Sequence, residues 1–126
     1  MSNFYGMKIR IRGNSIRYRL DKKDIATLQE QQQVEEITTI GAATLHFSVH
    51  AHAGEPVTTL QGNKVQLYLP ATQVEEWATT EQVGFRHDLP NADGSVLQLL
   101  IEKDFKCLTE RDEDERHAFE NPAQSC

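Results

Sequence analysis

Lys8, Arg10, Arg12, Arg17 and Arg19 all stand within the first twenty residues, and no carboxylate lies among them. Between them are Met7, Ile9 and Ile11, then Ile16, Tyr18 and Leu20, so apolar and basic residues alternate through Met7–Arg12 and again after Gly13-Asn14. Successive side chains of a strand point to opposite faces, and this alternation gathers the cations on one of them. Such a face would take phosphate, sulfate or carboxylate groups, with guanidinium forks making the bidentate contacts. The plainer reading is the solvated outside of a half-buried sheet, although such a surface ordinarily mixes charges of both signs.

Three further patterns carry potential chemistry. His46, His50 and His52 share one strand face and would add charge that varies near neutral pH. They also meet a minimum condition for a metal site, but no carboxylate stands at matching spacing in the strand, and no metal or other cofactor is expected. Glu102 and Asp104 share a face of the last strand, with Lys103 opposite. They could hold a divalent cation or divide acid and base roles, and they could equally form cross-strand ion pairs with the arginines, which is the expected arrangement. Cys107 follows beside Lys103 and Lys106, where neighbouring cations favour the thiolate. Together with His117 and Cys126 it matches no paired zinc-knuckle spacing, and no Gly-rich phosphate loop or nucleophile elbow is present.

The elements that must position these groups come in two similar sets. Gly13-Asn14-Ser15-Ile16-Arg17-Tyr18-Arg19-Leu20 returns by residue type as Gly62-Asn63-Lys64-Val65-Gln66-Leu67-Tyr68-Leu69, and the same offset carries Ile25 onto Val74 and Leu28 onto Trp77. Repetition at one offset reports architecture. The first set reads as a hairpin over Met7–Leu20, a helix capped by Asp21 and ending near Gln32, and strands over Val34–Ile40 and Leu45–His52. In the second set, Val57–Gln61 and Lys64–Leu69 form the hairpin, Pro70 opens a helix over Ala71–Thr79, and Val83–Asp88 and Ser95–Phe105 are the closing strands. The expected fold is α+β, with two tandem ββαββ repeats giving a mostly antiparallel eight-stranded barrel or strongly curved sheet with two helices. Closure would remove exposed edges. The competing architecture is an open sheet with both helices on one side.

The opening Met7-Lys8-Ile9-Arg10-Ile11-Arg12-Gly13-Asn14-Ser15-Ile16-Arg17 and the closing Ile101-Glu102-Lys103-Asp104-Phe105-Lys106-Cys107-Leu108, followed by acidic residues and Asn121-Pro122, resemble the two ends of a small family of bacterial proteins of unknown function. The resemblance covers Met7 to Pro122. It implies a bacterial cytoplasmic setting and carries no reaction. Because members of that family begin close to the equivalent of Met7, it also makes residues 1–6 an N-terminal extension. The repeat and the loss of periodicity toward the end give a single domain (7–108) whose halves are 7–52 and 57–105, and an acidic irregular tail (109–126). The strand count and basic lining are also similar to those of the triphosphate-tunnel enzymes, which use Arg, Lys and paired carboxylates on polyphosphate and a divalent metal. Those enzymes open on alternating glutamates, whereas Met7–Arg12 carries only basic residues.

Composition limits the choices further. The formal charge is −6, which weighs against general nucleic-acid binding, and Glu110–Glu115 is a nearly unbroken acidic run. No apolar run approaches the roughly 20 residues of a membrane-spanning helix, and the two cysteines form no disulfide framework. The expectation is a cytoplasmic binding or interaction module for an anionic small molecule or an acidic protein partner. Its ligand-binding residues would be Arg10, Arg12, Arg17 and Arg19, with His50 and Glu102 in support. The alternatives are a metal-dependent phosphohydrolase or polyphosphate-binding enzyme of the triphosphate-tunnel type, in which Glu102 and Asp104 hold the metal, and a thiol or metal-linked role centred on Cys107. A homodimer is expected if sheet edges stay open.

Overall fold

A computed structural model of the chain describes residues 6–105. The alternation around Gly13 builds the first hairpin, β1 (Lys8–Arg12) and β2 (Ser15–Leu20). Its turn needs a residue in the left-handed region, and Gly13 supplies it with φ of 56°, as Gly62 does at 60° in the second hairpin. Helix α1 (Lys22–Gln31) starts on a reciprocal cap: the Asp21 carboxylate accepts from the Asp24 N–H at 2.8 Å, and the Asp24 carboxylate accepts from the Asp21 N–H at 3.1 Å. Gln32 ends the helix in left-handed conformation, and β3 (Gln33–Ile40) and β4 (Ala43–His52) follow. The chain continues through β5 (Val57–Gln61), β6 (Lys64–Pro70), α2 (Ala71–Thr79), β7 (Gly84–Pro90) and β8 (Val96–Lys103).

The eight strands divide into two open sheets, ordered β1-β2-β8-β7 and β3-β4-β6-β5, and form no closed barrel among the described residues. This corrects the expected single barrel. Alternation assigns the faces of a strand but is silent about its partner, and each helical link is long enough to carry the chain from one sheet to the other. The first sheet therefore combines the hairpin that opens the chain with the one that closes it. Its inner pair, β2 with β8, runs parallel, as does β4 with β6 in the second sheet, whereas every outer pairing is antiparallel. Among the described residues no helix is long and apolar enough to cross a membrane.

One core joins the layers. Tyr18, Leu20, Leu99 and Ile101 enter it from the first sheet, Val34, Phe47, Val49, Leu67 and Leu69 from the second, and Ile25, Leu28, Val74 and Trp77 from the helices. Trp77 is fully buried, meets Phe85 edge-on at 5.5 Å, and donates its indole N–H to the Val83 carbonyl at 3.1 Å. Tyr18 is the exception to polar satisfaction, because its hydroxyl is buried without a hydrogen-bond partner among the described residues. Burial also pushes its pKa up. An unpaired buried hydroxyl costs roughly 1–3 kcal/mol of desolvation. Tyr18→Phe is therefore expected to match or exceed the parent protein by about 1 kcal/mol in urea denaturation. A loss of that size instead would show that the hydroxyl has a partner.

Candidate functional site

Burying Tyr18 and Leu20 turns Arg17 and Arg19 outward, and strand pairing then decides their neighbours. Lys8 stands opposite Arg19, which stands opposite Glu102. In the next row Arg10 faces Arg17, then Leu100 on β8 and Arg86 on β7. In the third, Arg12 faces Ser15, then Gln98 and Asp88. Directly opposed residues project to the same side of a sheet, and the outer face of the first sheet is accordingly basic.

Within it lies a depression of about 180 Å3 lined by Lys8, Ile9, Arg10, Arg17 and Arg19. Carboxylates answer part of the charge. Lys8 Nζ is 3.0 Å from Asp104, while Glu102 Oε1 is shared between Arg17 Nε at 3.7 Å and Arg19 Nε at 3.5 Å. At those separations Glu102 lowers the local potential without satisfying the guanidinium donors. Its side chain and those of both arginines are between 25% and 43% exposed, a setting in which such pairs contribute no more than about 1 kcal/mol. Arg10 and Arg12 form no ion pair among the described residues, whereas Arg86 is held by Asp88 through two contacts, at 3.1 and 3.4 Å. Five cations thus meet two carboxylates on β1, β2 and the end of β8, and the donors of Arg10, Arg17 and Arg19 remain open to an anion.

The sequence candidates are only partly brought together. Arg10, Arg17 and Arg19 converge. Arg12 lies on the same face, one row beyond the residues that line the depression. Glu102 stands among the arginines as a counter-charge, a position from which it repels an anionic ligand. His50 is elsewhere: the three histidines of β4 occupy the outer face of the second sheet, which corrects the expected convergence of arginines and histidines. There His50 stacks on Tyr68 with ring centroids 4.5 Å apart and hydrogen-bonds the Ser48 hydroxyl at 2.9 Å. Burial, foremost, holds its pKa below the ordinary imidazole value, with His52 adding to the effect and Glu35 opposing it.

The other histidines are engaged too. His46 bridges Thr44 Oγ1 and Glu35 Oε2, both at 2.9 Å, and His52 Nε2 donates to the Glu55 carbonyl at 2.8 Å. The Thr44–His46–Glu35 chain has the connectivity of a hydroxyl activated by a base. However, Asn63 Nδ2 binds both Thr44 oxygens, at 2.6 and 3.3 Å, and the His46 N–H donates to the Asn63 carbonyl at 2.9 Å. These contacts brace the Gly62-Asn63 turn against β4. No group of three His, Cys, Asp or Glu side chains suited to a metal occurs among the described residues. Cys107, His117 and Cys126 lie outside those residues.

Two unusual carboxylates escape a reading of motifs. Asp24 is only 7% exposed and its pKa is raised to about 7, chiefly by burial, with Asp21 and Glu36 as neighbouring negative charges. Glu36 is raised by burial too, against the opposing pull of the Met7 N–H. The available signals were the Asp21-x-x-Asp24 cap and the position of Glu36, two residues from Val34 on the inward side of β3.

Residues 7–123 match the model of DUF7009, a family of unknown function. The chain belongs to DUF7009. No curated protein and no solved structure matches it. The DUF7009 span begins at Met7, as the resemblance implied, and takes in all of β1, β2 and β8, hence every residue of the basic face.

Proposed function

We propose that the chain is a binding module whose ligand carries a phosphate, sulfate or carboxylate group seated in the depression between β1 and β2. The observation that supports this best is the open donor set. Arg10 lacks an acidic partner among the described residues, and Arg17 and Arg19 share one distant carboxylate at the same depression. Guanidinium groups fixed on adjacent strands are preorganised for bidentate contacts, which limits the ordering cost of binding. We also read the two ββαββ halves as an internal duplication, since β1, β2 and α1 correspond to β5, β6 and α2 at one offset. Only the first half bears the arginines that line the depression: Gln66 and Tyr68 stand where Arg17 and Arg19 do.

A metal-dependent phosphohydrolase receives less support. Its metal would need Glu102 and Asp104, yet Asp104 is paired with Lys8 and Glu102 lies between two arginines, so a divalent cation there would meet positive charge on both sides.

Inorganic pyrophosphate, sulfate and citrate are suitable probes for thermal shift and calorimetry. With pyrophosphate near a hundred times its Kd, stabilisation is expected to be about 2.7 kcal/mol. The melting temperature should then rise by more than about 5 °C, without added metal, and the gain should shrink as NaCl is raised from 50 to 500 mM. A strict requirement for Mg2+ would move the assignment to the enzyme. No response to any of the three anions would overturn the anion reading.

A further inference from the structure

We propose that the acidic segment 110–115 of this chain is the resident occupant of the basic face, and that an external anion must displace it. This rests on the anion-binding reading of the same face and adds its regulation.

The path of the chain supports it. The Asp104 N–H donates to the Leu20 carbonyl at 2.9 Å, fixing the exit from β8 beside the end of β2. From there the Asp104 carboxylate reaches past β2 to Lys8 on β1, so the last described acid already lies across the basic strands. Glu102 and Asp104 answer Arg17, Arg19 and Lys8, while Arg10 and Arg12 have no acidic partner among the described residues. Six residues beyond Asp104 the sequence reads Glu110-Arg111-Asp112-Glu113-Asp114-Glu115, five carboxylates against one cation. An extended chain of six residues spans about 20 Å, whereas the rows from Lys8 to Arg12 cover about 14 Å of strand. The intervening chain is therefore long enough for the segment to reach both unanswered arginines from its point of departure. Tethering supplies it at an effective concentration in the millimolar range, enough for weak, screened contacts to compete with a free ligand.

The test compares the full chain with a full-length variant carrying Glu110→Gln, Asp112→Asn, Glu113→Gln, Asp114→Asn and Glu115→Gln. Two measurements are made, calorimetric titration with inorganic pyrophosphate and the NMR resonances of the arginine Nε–Hε groups. At 50 mM NaCl the variant is expected to bind pyrophosphate about tenfold more tightly, with the Arg10 and Arg12 resonances moved and that of Arg86 unmoved. The affinity gap should close at 500 mM NaCl. Equal affinities and unmoved resonances, with arginine-dependent binding in the parent, would overturn the resident-segment proposal and leave the anion reading standing. Moved resonances without pyrophosphate binding to either protein would end the small-anion reading and uphold the intramolecular one. Unmoved resonances and no binding would overturn both.

Discussion

Arg10→Ala combined with Arg17→Ala is expected to weaken pyrophosphate binding by at least about 100-fold, whereas Arg86→Ala leaves it within about twofold. Each hydrogen bond to a charged group contributes roughly 1.5–3 kcal/mol, and loss of two such donors from one row reaches that factor. The contrast comes from geometry. Arg10 and Arg17 face each other across the β1–β2 pair and line the depression. Arg86 stands in the same row on β7, two strands from Arg17, and is already committed to Asp88. Neighbouring strands lie about 4.8 Å apart, which places it beyond reach of a ligand held between β1 and β2. Both substitutions remove surface charge, so equal losses from the two would show a diffuse electrostatic attraction in place of a seated ligand. Calorimetry at fixed ionic strength decides between them. Glu102→Gln should strengthen binding severalfold, because it removes the one negative charge between Arg17 and Arg19.

The second large effect concerns stability. The folded pKa of Asp24, about 7, lies above the ordinary aspartate value near 4 that the unfolded chain would show. The native state therefore holds a proton that the unfolded state has released, and the associated stabilisation is complete below about pH 4 and gone as pH rises through about 7. Between pH 5 and pH 8 the parent protein is expected to lose on the order of 2 kcal/mol from this group. In Asp24→Asn the loss is absent, since the amide oxygen still accepts from the Asp21 N–H and has nothing to titrate. The difference between the two proteins isolates Asp24 from His50, whose lowered pKa acts with the opposite sign. Urea denaturation across this range checks it. A parallel pH dependence in parent and variant would show that Asp24 is ionised throughout.

Local chemistry was legible where a single residue type determines it. Gly13-Asn14 announced the hairpin, Asp21 the start of α1, and Pro70 the helix that occupies Ala71–Thr79. The alternation of Lys8 to Arg12 and Arg17 to Arg19 showed which side chains share a face, and the spacing of Glu102 and Asp104 pointed to ion pairing with the arginines, which Glu102 makes with Arg17 and Arg19 while Asp104 pairs with Lys8 instead. Strand partnership was not legible. Tyr18 pairs with Ile101, most of the chain away, and nothing in either segment names the other. The same gap misplaced His50, which alternates as Arg17 does yet belongs to the other sheet. Glu36 passed unnoticed because inward and outward positions of β3 both carry polar residues, leaving no contrast by which to recognise a buried acid.

The parallel contact of β2 with β8 has a consequence for synthesis. Arg17 and Arg19 leave the ribosome well before the strand that carries Glu102, their partner in the parallel pairing. Pairing between distant segments is slow, and a nascent chain holding β1 and β2 alone keeps one sheet margin unpaired until then. A nascent chain that stops short of β8 would thus display these cations without the neighbouring strand that orients them.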